Sequence, residues 1–184
     1  GYNCLYCHAG YPRNAIGARW VAEVDHLSEP MDLGPIDCER CHGPGREHSN
    51  LARDKSDAAA IQAAIVNPAR LPPERQLDVC AQCHLEPTTR FPIHRLVMAG
   101  RTPFSFRPGD RLQDHFFVFD YEDPAMHHDE DTEIVNQNYL MVQSTCYLKS
   151  NGRMTCTTCH DPHRTPPREE RVAHFRGKCL SCHS

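Results

Sequence analysis

The motif Cys-x-x-Cys-His occurs five times in 184 residues, as Cys4 to His8, Cys38 to His42, Cys80 to His84, Cys156 to His160 and Cys179 to His183. No other feature restricts the fold so strongly. Two thiols three positions apart, followed at once by an imidazole, are the attachment signature of c-type haem. The thiols add across two porphyrin vinyl groups to form thioethers, and the histidine supplies the proximal ligand to iron. The pattern predicts five covalently attached haem c groups, held by Cys4, Cys7, Cys38, Cys41, Cys80, Cys83, Cys156, Cys159, Cys179 and Cys182. His8, His42, His84, His160 and His183 are the predicted proximal ligands.

Other uses of paired cysteines fit less well. Zinc ribbons close a Cys4 site from two such pairs and need no histidine immediately after each. With 13 histidines in 184 positions, the chance that all five pairs are followed by one is about two in a million. An odd total of 11 cysteines suits a disulfide framework poorly. Thioredoxin-type chemistry uses one motif on a βα unit rather than five along the chain.

Composition agrees with an interior built from cofactor. Hydrophobic residues make up 39% and aromatics 8%, mean hydropathy is -0.62, and there are 15 prolines. Side chains alone would form a thin core at this length. Five porphyrins, one for about every 37 of the 184 residues, supply large apolar faces whose burial contributes as core side chains do. The expected fold is a single pentahaem cytochrome c domain over residues 1–184. It is mainly α with long irregular loops and little sheet, packed around haem, and unable to fold without it.

The formal charge is -4, and two propionates per haem would carry it to roughly -14. Nucleic acid is excluded as a partner on that balance. No run of 18 apolar residues is present, so no transmembrane segment is expected. The chain opens at Gly1-Tyr2-Asn3-Cys4 without a charged and then apolar leader, as a processed chain would. Because c-type haem is attached outside the cytoplasmic membrane, export to the periplasm or the extracellular space is expected.

The motif spacings show no constant period. Asp57 precedes an alanine-rich run, predicting an N-capped helix from Ala58 that stops at Asn67-Pro68. Pro72-Pro73-Glu74 predicts a second helix to about Cys83, with proline in the first turn and acid at the positive end. It would project Cys80 and Cys83 from one face. The same logic predicts a helix from Pro167 to His183. Between Leu85 and Thr155, Phe104 to Asp110 carries a turn signal and His115 to Phe119 an apolar run suited to an edge strand or a lid. The acidic stretch Asp120 to Glu133 reads as a solvated loop.

Eight histidines lie outside the motifs: His26, His48, His94, His115, His127, His128, His163 and His174. Five irons need five of them for bis-histidine coordination, which saturates iron and suits electron transfer, whereas an open position permits catalysis. Methionine ligation by Met31, Met98, Met126, Met141 or Met154 is the lesser alternative, packing being the commoner role. His163 follows His160 by three residues, at most about 11 Å of chain. That is too short to round a macrocycle, so His163 is expected to ligate a neighbouring haem. His174 would face away from His183 on a continuous helix, nine residues at 100° each, and reach another haem. His48, after the Gly43-Pro44-Gly45 turn, is a similar bridging ligand, and His26 and His94 complete the predicted set. His115, His127 and His128 are reserves, with surface placement expected of His115 and His128. Cys146, the eleventh cysteine, is expected to be a buried structural thiol.

Several stretches resemble bacterial multihaem c-type cytochromes of the kind associated with tetratricopeptide repeats. They are Ile36 to Gly45, Ile65 to Leu77, Phe104 to Asp110 and Cys146 to Gly152 leading into the fourth motif. The haem region of that family is similar to the tetrahaem cytochromes of nitrification. The resemblance covers nearly the whole chain and implies electron transfer. It also supports His48 and His163, which stand in family-like contexts after their motifs.

The expected function is electron transfer through five mostly bis-histidine haems, with no enzymatic step. Partners would be redox proteins or further copies of the chain, the latter as a conductive extracellular filament. The alternative is a reductase of small nitrogen or sulfur oxyanions with one open haem site. No Cys-x-x-Cys-Lys variant marks such a site.

Overall fold

The structure is a computed structural model and describes residues 6–12, 34–85, 101, 104–118 and 137–183, with the backbone of 95–97. Cys4, His26, His94, His127, His128 and the acidic stretch 120–133 lie outside the described residues. The described residues are mostly helical, 53% helix against 5% strand, so the expectation of a mainly α protein with little sheet holds. Residues 6–8 are helical. Then come α1 (Glu39–His42), α2 (Arg46–Arg53), α3 (Ala58–Ala63), α4 (Pro73–His84), β1 (Arg95–Val97), β2 (Phe116–Val118), α5 (Gln137–Gln143), α6 (Thr145–Lys149), α7 (Cys156–Cys159) and α8 (Arg171–Leu180).

Local chemistry explains the helix starts. The Glu39 carboxylate of α1 accepts from the Gly45 N–H at 2.8 Å and so ties α1 to the entry of α2. Gly43 between them has φ +74, a conformation that glycine adopts without a Cβ penalty. Asp57 caps α3 as predicted, its side chain accepting from the N–H groups of Ala59 and Ala60. That helix ends at Ala63, short of Asn67, because the next turn is drawn into tertiary bonds. The Val66 N–H donates to the His42 carbonyl at 3.1 Å. Pro73 opens α4 with Glu74 beside it, matching the predicted start.

The apolar core is small and lies on α4. Tyr6, Ala81, Phe104, Phe106, Leu112 and Phe116 form it, with Cys7, Tyr11 and Leu85 packed against it. The Tyr6 ring lies 5.4 Å from that of Phe104 and 5.3 Å from that of Phe116, offset geometries that aromatic pairs favour. The turn predicted over 104–110 brings the phenylalanines back to α4, and Gly109 adopts φ +101 within it. The apolar run then enters β2, which pairs antiparallel with β1. The edge-strand expectation is met.

Residues 137–183 contrast with that core. They form four helices, yet Thr155 is the only buried residue among them. Leu148 is 61% and Val172 81% exposed, and Tyr139, Leu140 and Leu180 are exposed as well. Helices this short are marginal in water without an apolar partner for one face, and the described residues do not supply that cover. The last helix begins at Arg171, four residues after the expected Pro167, since 168–170 form a turn. It also ends at Leu180, so it is not continuous to His183 and the argument from opposite helix faces lapses.

Candidate functional site

Each described motif sits on or against a short helix. His42 closes α1 and His84 closes α4, while α7 spans Cys156 to Cys159 with His160 as its C-cap. Cys179 lies in α8, and the N–H groups of Cys182 and His183 fold back onto the Cys179 carbonyl at 3.1 and 3.0 Å. One helical turn sets the two thiols three residues apart on the same side, which is the geometry a single porphyrin edge requires.

The motifs also touch one another. The Cys7 thiol points at the Cys83 carbonyl at 4.0 Å and the Cys83 thiol at the Cys7 carbonyl at 3.9 Å, joining the first motif to the third. Arg40, inside the second motif, reaches the Cys83 sulfur at 3.9 Å. Burial and then the nearby Cys83 push the Cys41 thiol up. Helix α4 packs against α7, so the third motif meets the fourth, and the interaction of Cys80 with Cys156 holds Cys156 down at about 7 and pushes Cys80 up. Burial and then Cys179 raise the Cys159 thiol, the mark of the fourth motif lying beside the fifth. All ten described cysteines are free of disulfides. Among the described residues no three His, Cys, Asp or Glu side chains converge as a metal cage requires. Among the described residues the motifs thus lie near one another without the four-thiol convergence of a structural zinc site.

The histidines show how ligands would be held. Nδ1 of His42 lies 2.8 Å from the Val66 carbonyl, Nδ1 of His48 2.8 Å from the Ile61 carbonyl, and Nδ1 of His84 3.0 Å from Oε1 of Gln137. Those oxygens only accept, so each Nδ1 carries the proton and each Nε2 is left as the basic nitrogen. That is the tautomer and the outer hydrogen bond that metal-ligating histidine uses. The ring of His163 faces that of His42 with centroids 5.8 Å apart and planes 18° from parallel. His163 thus lies beside the histidine of the second motif, and the tautomer of His42, with Nδ1 held by Val66, fits haem iron at Nε2. His163 is held there by its N–H donating to Oδ1 of Asp161 at 2.9 Å, and its side chain is 75% exposed on the bare chain.

His160 and His174 border one open cavity of about 320 Å³, shared with Asp161, Arg164, Arg171 and Phe175. The Phe175 ring meets both imidazoles edge-on, at 5.4 and 5.1 Å. His174 is thereby placed toward the fourth motif, as a residue reaching another haem would be.

Two expectations are corrected. His115 is 2% exposed. Both its ring nitrogens are engaged, Nδ1 by the Ser105 hydroxyl at 2.8 Å and Nε2 by Oδ2 of Asp110 at 3.1 Å. Burial lowers its pKa against the opposing pull of Asp110, so it is a neutral structural residue with no nitrogen left for iron. Cys146, expected in the interior, is exposed on α6. A third feature was missed altogether. Arg40, a variable position within its motif, is almost fully buried, and nothing in the spacing around it signals that. No known protein family, curated protein or solved structure matches the chain.

Proposed function

We propose that the chain is a pentahaem c-type cytochrome that transfers electrons and makes no substrate bond. The observation that carries this reading is the proximity of the motifs, first to third and second to third by contact at Cys83, third to fourth and fourth to fifth by packing of their helices. Haem iron bound at each motif would supply one-electron chemistry. The chain's own part is to hold each Nε2 toward its iron, to set neighbouring attachment edges side by side, and to exclude water with the Tyr6–Phe106 core. The thin packing of residues 137–183 and the resemblance to multihaem cytochromes support the same reading. Redox proteins or further copies of the chain are the partners, outside the cytoplasmic membrane. Among the described residues no helix is long and apolar enough to cross one.

A second reading has one observation in its favour. Arg164, Arg171 and His174 border the cavity that His160 lines, and cations beside an open iron suit an oxyanion substrate. Electron paramagnetic resonance of the oxidised protein separates the two. A carrier with His174 as ligand gives low-spin iron throughout, and a substantial high-spin component, displaced on adding nitrite or sulfite, would establish the reductase instead.

A further inference from the structure

We infer that Arg40 is a fixed buried cation that raises the reduction potential of the haem carried by Cys80 and Cys83. The inference rests on haem attachment at the third motif.

Arg40 lies between the two cysteines of the second motif and is 2% exposed. Its Nη2 donates to the Tyr6 carbonyl at 2.8 Å and lies 3.9 Å from the Cys83 sulfur. Its Nη1 has no hydrogen-bond partner. No carboxylate of the described residues pairs with it. What surrounds the guanidinium is aromatic, with Tyr6, Tyr11 and Phe104 centroids at 4.8, 4.9 and 5.6 Å. Arg107 stands 4.1 Å from the same Tyr11 ring, so a second cation reinforces the positive field. Tyr11 adds no anion, since its hydroxyl donates to the Phe106 carbonyl at 2.9 Å and burial raises its pKa.

A buried guanidinium without an anion is costly, and the ring faces offset part of that cost through cation–π attraction. They do so without cancelling the charge. Nη1 is buried without a hydrogen-bond partner, so no described anion neutralises it. In a medium of low dielectric a uniform positive charge acts strongly on its surroundings. Cys83 sulfur would be joined to the porphyrin through the saturated carbon that vinyl addition leaves, so a nitrogen of Arg40 stands 3.9 Å from an atom one carbon removed from the ring. Reduction would add an electron to the iron at the centre of that ring, and a nearby cation favours the added electron. The sign is therefore fixed, and loss of the charge lowers the potential.

The test compares Arg40→Met, which keeps an apolar stem in the aromatic cage, with Arg40→Lys, which keeps the charge. Intact mass first establishes five haems in wild type and in each variant. Absorbance is then followed in a potentiometric titration with dithionite. In Arg40→Met one of five transitions is expected to move to lower potential by at least tenfold in its oxidised-to-reduced ratio, which is 59 mV for one electron. In Arg40→Lys it stays within that limit. Five loaded haems with no transition moved, or with all five moved alike, would overturn the inference and leave the proposed function standing. If the methionine variant does not load five haems, the lysine variant decides, and a tenfold downward shift with the charge retained contradicts the inference. A wild type lacking haem would end both.

Discussion

Replacing Cys80 and Cys83 together by alanine is expected to abolish the folded protein, whereas replacing Cys179 and Cys182 together removes one haem and leaves the other four. The difference follows from what each motif's helix supports. Helix α4 buries Leu77, Val79, Ala81 and Gln82, and its thiols touch the first, second and fourth motifs. Losing the porphyrin at that junction empties the space beside the aromatic core, at a cost of several kcal/mol by the behaviour of large cavities. Domain stability is only about 5–15 kcal/mol in total. Helix α8 buries none of its own residues, so loss of its haem frays one end of the chain. Soret absorbance per purified chain, with far-ultraviolet circular dichroism, reads both variants. A Cys80/Cys83 variant retaining four-fifths of the absorbance and a wild-type spectrum would show that the third motif is not the structural centre.

His163→Ala is expected to convert about one iron in five from low to high spin while all five haems stay attached. His163 faces His42 at 5.8 Å and belongs to no apolar cluster, so its removal opens an axial position without disturbing the core. His163→Met is expected to restore low spin at that iron with a raised potential, as methionine ligation does. His115→Ala provides the contrast. It leaves the spin state unchanged but destabilises the fold by about 1–3 kcal/mol, through the orphaned Ser105 and Asp110 partners. Electron paramagnetic resonance and thermal unfolding measure the two effects separately. High-spin iron in His115→Ala, or none in His163→Ala, would contradict the ligand assignment.

Features governed by near neighbours along the chain were legible in sequence. The start of α4 at Pro73, the Asp57 cap, the turn at Gly109 and the strand through Phe117 all follow from residues within one turn of the feature. The end of α3 was misread because a hydrogen bond from Val66 to a residue 24 positions earlier wins over helix propagation. The start of α8 was misread because the turn over 168–170 follows Pro166 and Pro167 before the helix can begin. His115 looked like a surface residue beside Gln113 and Asp114, yet two hydrogen bonds satisfy it in the interior. The Cys-x-x-Cys-His positions are readable from spacing, while their contacts with one another are not. Those contacts join residues up to 76 positions apart, which no local pattern encodes. The short link of His163 to His160 points it toward a neighbouring motif, and only the fold shows that its ring lies beside His42.

The claim on which the rest depends is covalent attachment of five porphyrins. Intact mass of the purified protein under denaturing conditions tests it most directly, because thioether-bound haem stays with the chain when noncovalent cofactors are lost. The account predicts the polypeptide mass plus five haem increments, with Cys146 alone open to alkylation. A bare polypeptide mass, or eleven alkylated cysteines, would contradict it.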